Sequence, residues 1–151
     1  MLSKSIKWML IITFVFVLAI VSLYLSMYFY EKGMYAYEVI HASSLRWVFP
    51  AHEFDTETGR EWNTLKQYHL SASKKDELIA YAVSNQWNTL PFTEAQMCDE
   101  LLSNYPDETI EAMKNAQNGY WTDVYNQNQR RYLCLIDINS SMLYIRSSSV
   151  L

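Results

Sequence analysis

The sequence predicts an α+β protein: a single N-terminal transmembrane helix, then a small domain with an antiparallel three- to four-stranded sheet and two to three helices on one face. Three observations carry that expectation. A run of 23 residues, Trp8–Tyr30, holds no charge. Apolar residues between Ser73 and Gln117 recur at helical spacing. Beyond Gly119 the spacing changes to every second residue, as a strand requires.

The uncharged run comes first. As a helix it is about 35 Å long, against a hydrocarbon core of about 30 Å. Thirteen of its 23 residues are Leu, Ile, Val or Phe, including Phe14 and Phe16. At about −0.3 to −0.6 kcal/mol each, they favour insertion by about −4 to −8 kcal/mol. Trp8 at one end, with Tyr28 and Tyr30 at the other, suits the two interfacial layers. The run exceeds the 7–15 apolar residues of a cleaved signal peptide. No small-residue cleavage site follows, and no nearby cysteine offers a lipid attachment. The reading is therefore an uncleaved signal anchor. Lys4 and Lys7 precede the span, while all 16 acidic residues lie at or beyond Glu31. That asymmetry predicts a cytoplasmic N-terminus and an extracytoplasmic C-terminal domain in the cell membrane. Ala19, Ser22 and Ser26 share one stripe, where a second copy of the helix can approach closely. Chance placement on a lipid-facing helix explains them more simply than a homodimer.

The division that follows is residues 1–7 as a cytoplasmic tip, 8–30 as the span, 31–60 as juxtamembrane stalk and loop, and 61–151 as the outer domain. Residues 33–50 either extend the helix or begin the domain. His52–Arg60 is polar and acidic, and reads as a loop. Trp62–Leu70 alternates and reads as a strand, with Thr64, Lys66, Tyr68 and Leu70 on one side. Ser73, followed by Asp76 and Glu77, marks a helix start running to about Gln86. Pro91 breaks the chain. Thr93 and Gln96 form a capping box for a second helix, Glu94–Asn104, burying Met97, Cys98, Leu101 and Leu102. Pro106 opens a third helix to about Gln117, and Gly119 is placed to close it. Three strands follow, Tyr120–Tyr125, Arg130–Ile138 and Met142–Ser147, with polar turns at Asn126–Gln129 and Asn139–Ser141. The middle strand is apolar on both faces, which predicts a central position.

Composition limits function. Half of the 151 residues are hydrophobic and 19% are charged, which excludes a disordered chain. From Glu31 onward the net charge is −6, which argues against nucleic acid and anionic head groups as partners. No cofactor is expected: three glycines leave no phosphate-cradling loop, and no His or Cys cluster has metal-ligand spacing. His41, His52 and His69 are isolated. Asp55–Gly59 departs from a calcium loop in glycine position and ligand number. No GxSxG motif is present, and Cys98 lies inside its helix rather than at a reactive start. An enzyme is therefore not expected.

Two features remain. Cys98 and Cys134 either form a disulfide closing a loop of 36 residues, stabilising by about 3–4 kcal/mol, or are two separately buried thiols. Both readings stand. The 23 aromatic residues include Trp62, Trp87, Tyr120, Trp121 and Tyr125, a candidate ligand or partner platform. Core packing explains them better: Trp87 and Leu90 fasten two helices, and Trp121 or its neighbours pack on the sheet. By elimination the expected function is a non-enzymatic protein-interaction domain in the cell envelope. Its partners are membrane lipid, through the helix, and another envelope or membrane protein. The alternatives are a cell-wall glycan or small-ligand binding module with an aromatic groove, and a small membrane-anchored hydrolase.

Overall fold

A computed structural model describes residues 4–58, 61–92, 106–125 and 130–149. Its first element, helix α1 (Lys4–Ile40), has 37 residues, about 55 Å of rod. Through Glu31 it is exposed on every side. It is long and apolar enough to cross a membrane, and among the described residues it is alone in that.

The helix does not stop where the apolar run stops. Gly33, Ala36, Val39 and Ile40 repeat at helical spacing and are buried. Residues 33–40 therefore both extend the apolar helix and supply part of the domain core. His41, at φ 64°, turns the chain out of the helix. A short 3-10 turn, Ser43–Leu45, then buries Leu45.

Six strands follow: β1 (His52–Thr58), β2 (Glu61–His69), β3 (Asn88–Thr89), β4 (Gly119–Tyr125), β5 (Arg130–Asp137) and β6 (Met142–Ser149). Helix α2 (Ala72–Ser84) lies between β2 and β3, and helix α3 (Asp107–Lys114) before β4. The sheet is antiparallel throughout, in the order β1-β2-β6-β5-β4-β3. The α+β class holds, but the expected three or four strands are six. The polar segment from His52, expected as a loop, is the edge strand β1. Its charges suit an edge, where side chains reach water and pairing to β2 supplies the structure. The two-residue β3 was not expected either.

The middle strand of the expected meander, β5, is central, between β6 and β4. Its residues Tyr132–Ile136 are all buried, because the sheet is covered on both faces. Tyr68, Tyr132, Cys134, Ile136, Leu143 and Ile145 pack on one face with Ala36, Val39 and Ile40 of α1 and Leu78 and Ala82 of α2. Leu65, Trp121, Leu133, Leu135 and Tyr144 pack on the other with Met113 of α3. The expectation of helices on one face is corrected: α3 lies opposite α1 and α2. Period-two patterning alone does not say how many sides of a doubly apolar strand carry helices.

Local ends differ too. Ser71, not Ser73, is the residue before α2; Ser73 Oγ instead donates to Glu77 at 3.3 Å. Helix α3 ends at Lys114, so Gly119 does not close it but starts β4. There, at φ 154°, a Cβ would stand 1.8 Å from the Ile136 carbonyl oxygen. The turn after β5 is held by Asp137, which accepts from the Asn139 N–H and the Ser140 hydroxyl. The expected helix Glu94–Asn104, its capping pair Thr93 and Gln96, and the turn Asn126–Gln129 lie outside the described residues.

Candidate functional site

A polar cluster lies where α1 meets the sheet edge. Tyr28, Lys32 and Tyr35 recur at four and three residues, on one stripe of α1. That stripe faces β1 and β2. Lys32 Nζ donates to Glu53 Oε2 at 2.7 Å, and Lys66 Nζ lies 2.8 Å from Glu53 Oε1. The register Glu53↔Lys66 sets the second pair across adjacent strands. Lys66 Nζ also stands 3.9 Å from the centre of the Tyr35 ring, and Lys32 Nζ 5.0 Å from that of Tyr28. These are cation–π distances.

Behind this cluster, the Thr64 and Ser147 hydroxyls hydrogen-bond across β2 and β6. Both also reach the Tyr35 phenol. Burial pushes the Tyr35 and Tyr68 phenols up in pKa. Burial alone would raise the Glu53 carboxyl, but hydrogen bonds from Lys32 and Lys66 outweigh it and hold it below the ordinary range. Lys32 is raised, chiefly by its bond to Glu53. One carboxylate between two ammoniums and two aromatic rings is already compensated. Chemically it is a clamp: it fixes the rotation of α1 against the sheet.

A second tie lies at the far end of α1. The Tyr81 hydroxyl of α2 donates to the Ile40 carbonyl at 2.6 Å, satisfying one of the helix's terminal acceptors. On the opposite face, Gln67 Nε2 donates to Thr109 Oγ1 of α3 at 2.8 Å, and Arg146 is buried in register between Leu65 and Leu133.

The expected aromatic platform is divided. Trp87 and Tyr120 are half-buried against the core of the first face, with Trp87 edge-on to Tyr81 at 6.4 Å. Trp121 is buried on the second face, 5.2 Å from Phe92. Trp62 and Tyr125 sit on β2 and β4, and their side chains lie outside the description. The three described rings thus belong to two faces. Trp8, Phe14, Phe16, Tyr28 and Tyr30 are all exposed on α1.

His41 ends α1, edge-on to Tyr37; His52 stacks on Phe54; His69 is exposed at the end of β2. Among the described residues, no three His, Cys, Asp or Glu side chains are placed to hold a metal. Cys134 is fully buried on the first face, and burial pushes its thiol well up. Its expected partner, Cys98, lies outside the described residues.

The clamp was missed because Glu53 lay in a segment read as loop. The available signal was Lys66: a charged residue on the same strand side as Tyr68 and Leu70 needs a buried partner. Comparison with protein-family models, with curated proteins and with solved structures returns no match.

Proposed function

We propose that the chain is a single-pass membrane protein, N-terminus in the cytoplasm, that displays a non-enzymatic protein-interaction domain outside. The observation that carries the reading is the continuity of α1. Its exposed apolar part, up to Tyr30, leads without a break into core residues Ala36, Val39 and Ile40. A domain joined in this way has a set height and orientation over the bilayer. That suits presentation of a surface to a neighbour in the same membrane. The non-enzymatic reading draws on the clamp, whose ionisable groups are paired with one another rather than turned to a substrate.

Fractionation and crosslinking test it. The protein is expected to stay in membranes washed with alkaline carbonate, and a C-terminal epitope to be digested by protease added outside. Digestion only from the cytoplasmic side would overturn the orientation. Crosslinking in the native membrane is expected to capture one reproducible protein neighbour. Capture of none would overturn the interaction reading.

A further inference from the structure

We propose that Arg46–Pro50 is a membrane-interface loop, whose Trp47 and Phe49 seat the domain in the head-group layer of the bilayer that α1 crosses. The inference rests on the reading of α1 as a span.

Among the described residues beyond α1, the large hydrophobics left exposed are Trp47, Phe49 and Val83. Trp47 is 55% exposed and Phe49 45%. Between them Val48 is buried in the first core. The alternation fixes the loop: Val48 points into the domain, and its two neighbours point out. Both rings come back to α1. Trp47 is edge-on to Tyr30 at 5.8 Å, and Phe49 to Phe29 at 6.3 Å. Gly33 makes room for this approach. A Cβ there would lie 2.9 Å from Trp47 Cε3 and 3.1 Å from Phe49 Cζ. Trp47 also holds a left-handed backbone, φ 58°, which a bulky residue adopts only when its surroundings impose it.

The height of the loop identifies its surroundings. Phe29 and Tyr30 end the uncharged run. The run is a few ångströms longer than the hydrocarbon core, so its last rings fall at the boundary. Trp47 is at the same level and overhangs a groove lined by Ser22, Ser26 and Phe29 of the helix. Trp is the residue most at home there: its ring faces acyl chains and its N–H faces head groups. The exposed rings are continuous with the lipid-facing surface of α1, which favours lipid over a separate protein as their cover. The domain is then attached at two points, through the helix and through the loop.

The test uses the full chain in phosphatidylcholine vesicles carrying bromine on acyl carbons near the head group. Bromine quenches a nearby Trp. Trp8 reports on the span, and Trp47 on the loop. Trp8→Phe and Trp47→Phe are each expected to remove about half of the quenched intensity, since the two lie at opposite interfaces. Phe49→Trp, added to Trp47→Phe, is expected to restore it. Quenching that Trp8→Phe abolishes and Trp47→Phe leaves unchanged would overturn the loop and keep the span. The same pattern with crosslinking of Trp47→Cys between copies would assign the patch to a second chain, again overturning the proposal. Release of the protein by carbonate, with Trp8 unquenched, would overturn the span and the loop together.

Discussion

Lys32 of α1 and Glu53 of β1 meet at 2.7 Å, one turn or less beyond the last residue of the apolar run. The pair joins the helix to the sheet's edge strand just past the end of the helix's uncharged run. Glu53 also serves Lys66, whose side chain is only 10% exposed. One carboxylate thus pairs with a partly exposed lysine and a nearly buried one, and the trio keeps one net positive charge.

Glu53→Gln would leave Lys66 buried without its counter-charge. The expected cost is about 1–3 kcal/mol, below that of a fully buried pair because Glu53 is partly solvated. The sign of the pH effect follows from the lowered carboxyl pKa. Its stabilisation is complete above the unfolded value, near 4.3, and is lost as pH falls through that value and the lower folded one. Thermal melts in detergent should drop from about pH 5 downward for wild type and less for the variant. Parallel melting curves would remove Glu53 from this role.

Gly119→Ala should be far more harmful than Gly33→Ala. The first forces a Cβ to 1.8 Å from the Ile136 backbone oxygen, in a left-handed conformation. A strand-pairing carbonyl cannot step aside, so the cost should exceed about 4 kcal/mol and leave little folded protein. At Gly33 the obstacles are the exposed Trp47 and Phe49 rings, and alanine gains about 1 kcal/mol of helix propensity. Its net effect should stay within about 1 kcal/mol. Chemical denaturation of both variants checks the order.

Tyr81→Phe keeps the ring against Trp87 and removes the 2.6 Å bond to the Ile40 carbonyl. The loss should be about 1 kcal/mol. Amide exchange should rise at the C-terminal turn of α1 before it rises in the sheet. Unchanged exchange there would mean that apolar packing alone holds the helix end.

Cys134 should resist alkylation in the folded protein, since its sulfur is fully buried and its thiol is held protonated. Unfolding without reductant should make it react at once. If reductant is also needed, the thiol is bonded to Cys98.

The sequence made some of this structure legible and hid other parts for physical reasons. The long apolar helix was plain because Trp8–Tyr30 lacks charge. The strands β2, β4, β5 and β6 showed in their alternation, and β5 also in its two apolar faces. The edge strand β1 did not, since His-Glu-Phe-Asp-Thr-Glu-Thr is ordered by its ladder with β2 and not by local preference. The clamp required that strand, so it stayed hidden with it. Trp121 and Tyr120 are neighbours on β4, so alternation alone puts them on opposite faces; the register with Leu135 and Ile136 decides which face each one takes.

The burial of Ala36, Val39 and Ile40 also has a practical side. A fragment trimmed to begin at β1, or even at His41, would lack the apolar wall that covers Tyr68, Cys134 and Ile145. Such a fragment would be sticky rather than soluble. The cut that frees a stable sheet-bearing piece falls before Glu31, leaving the last helical turns in place and the apolar rod behind.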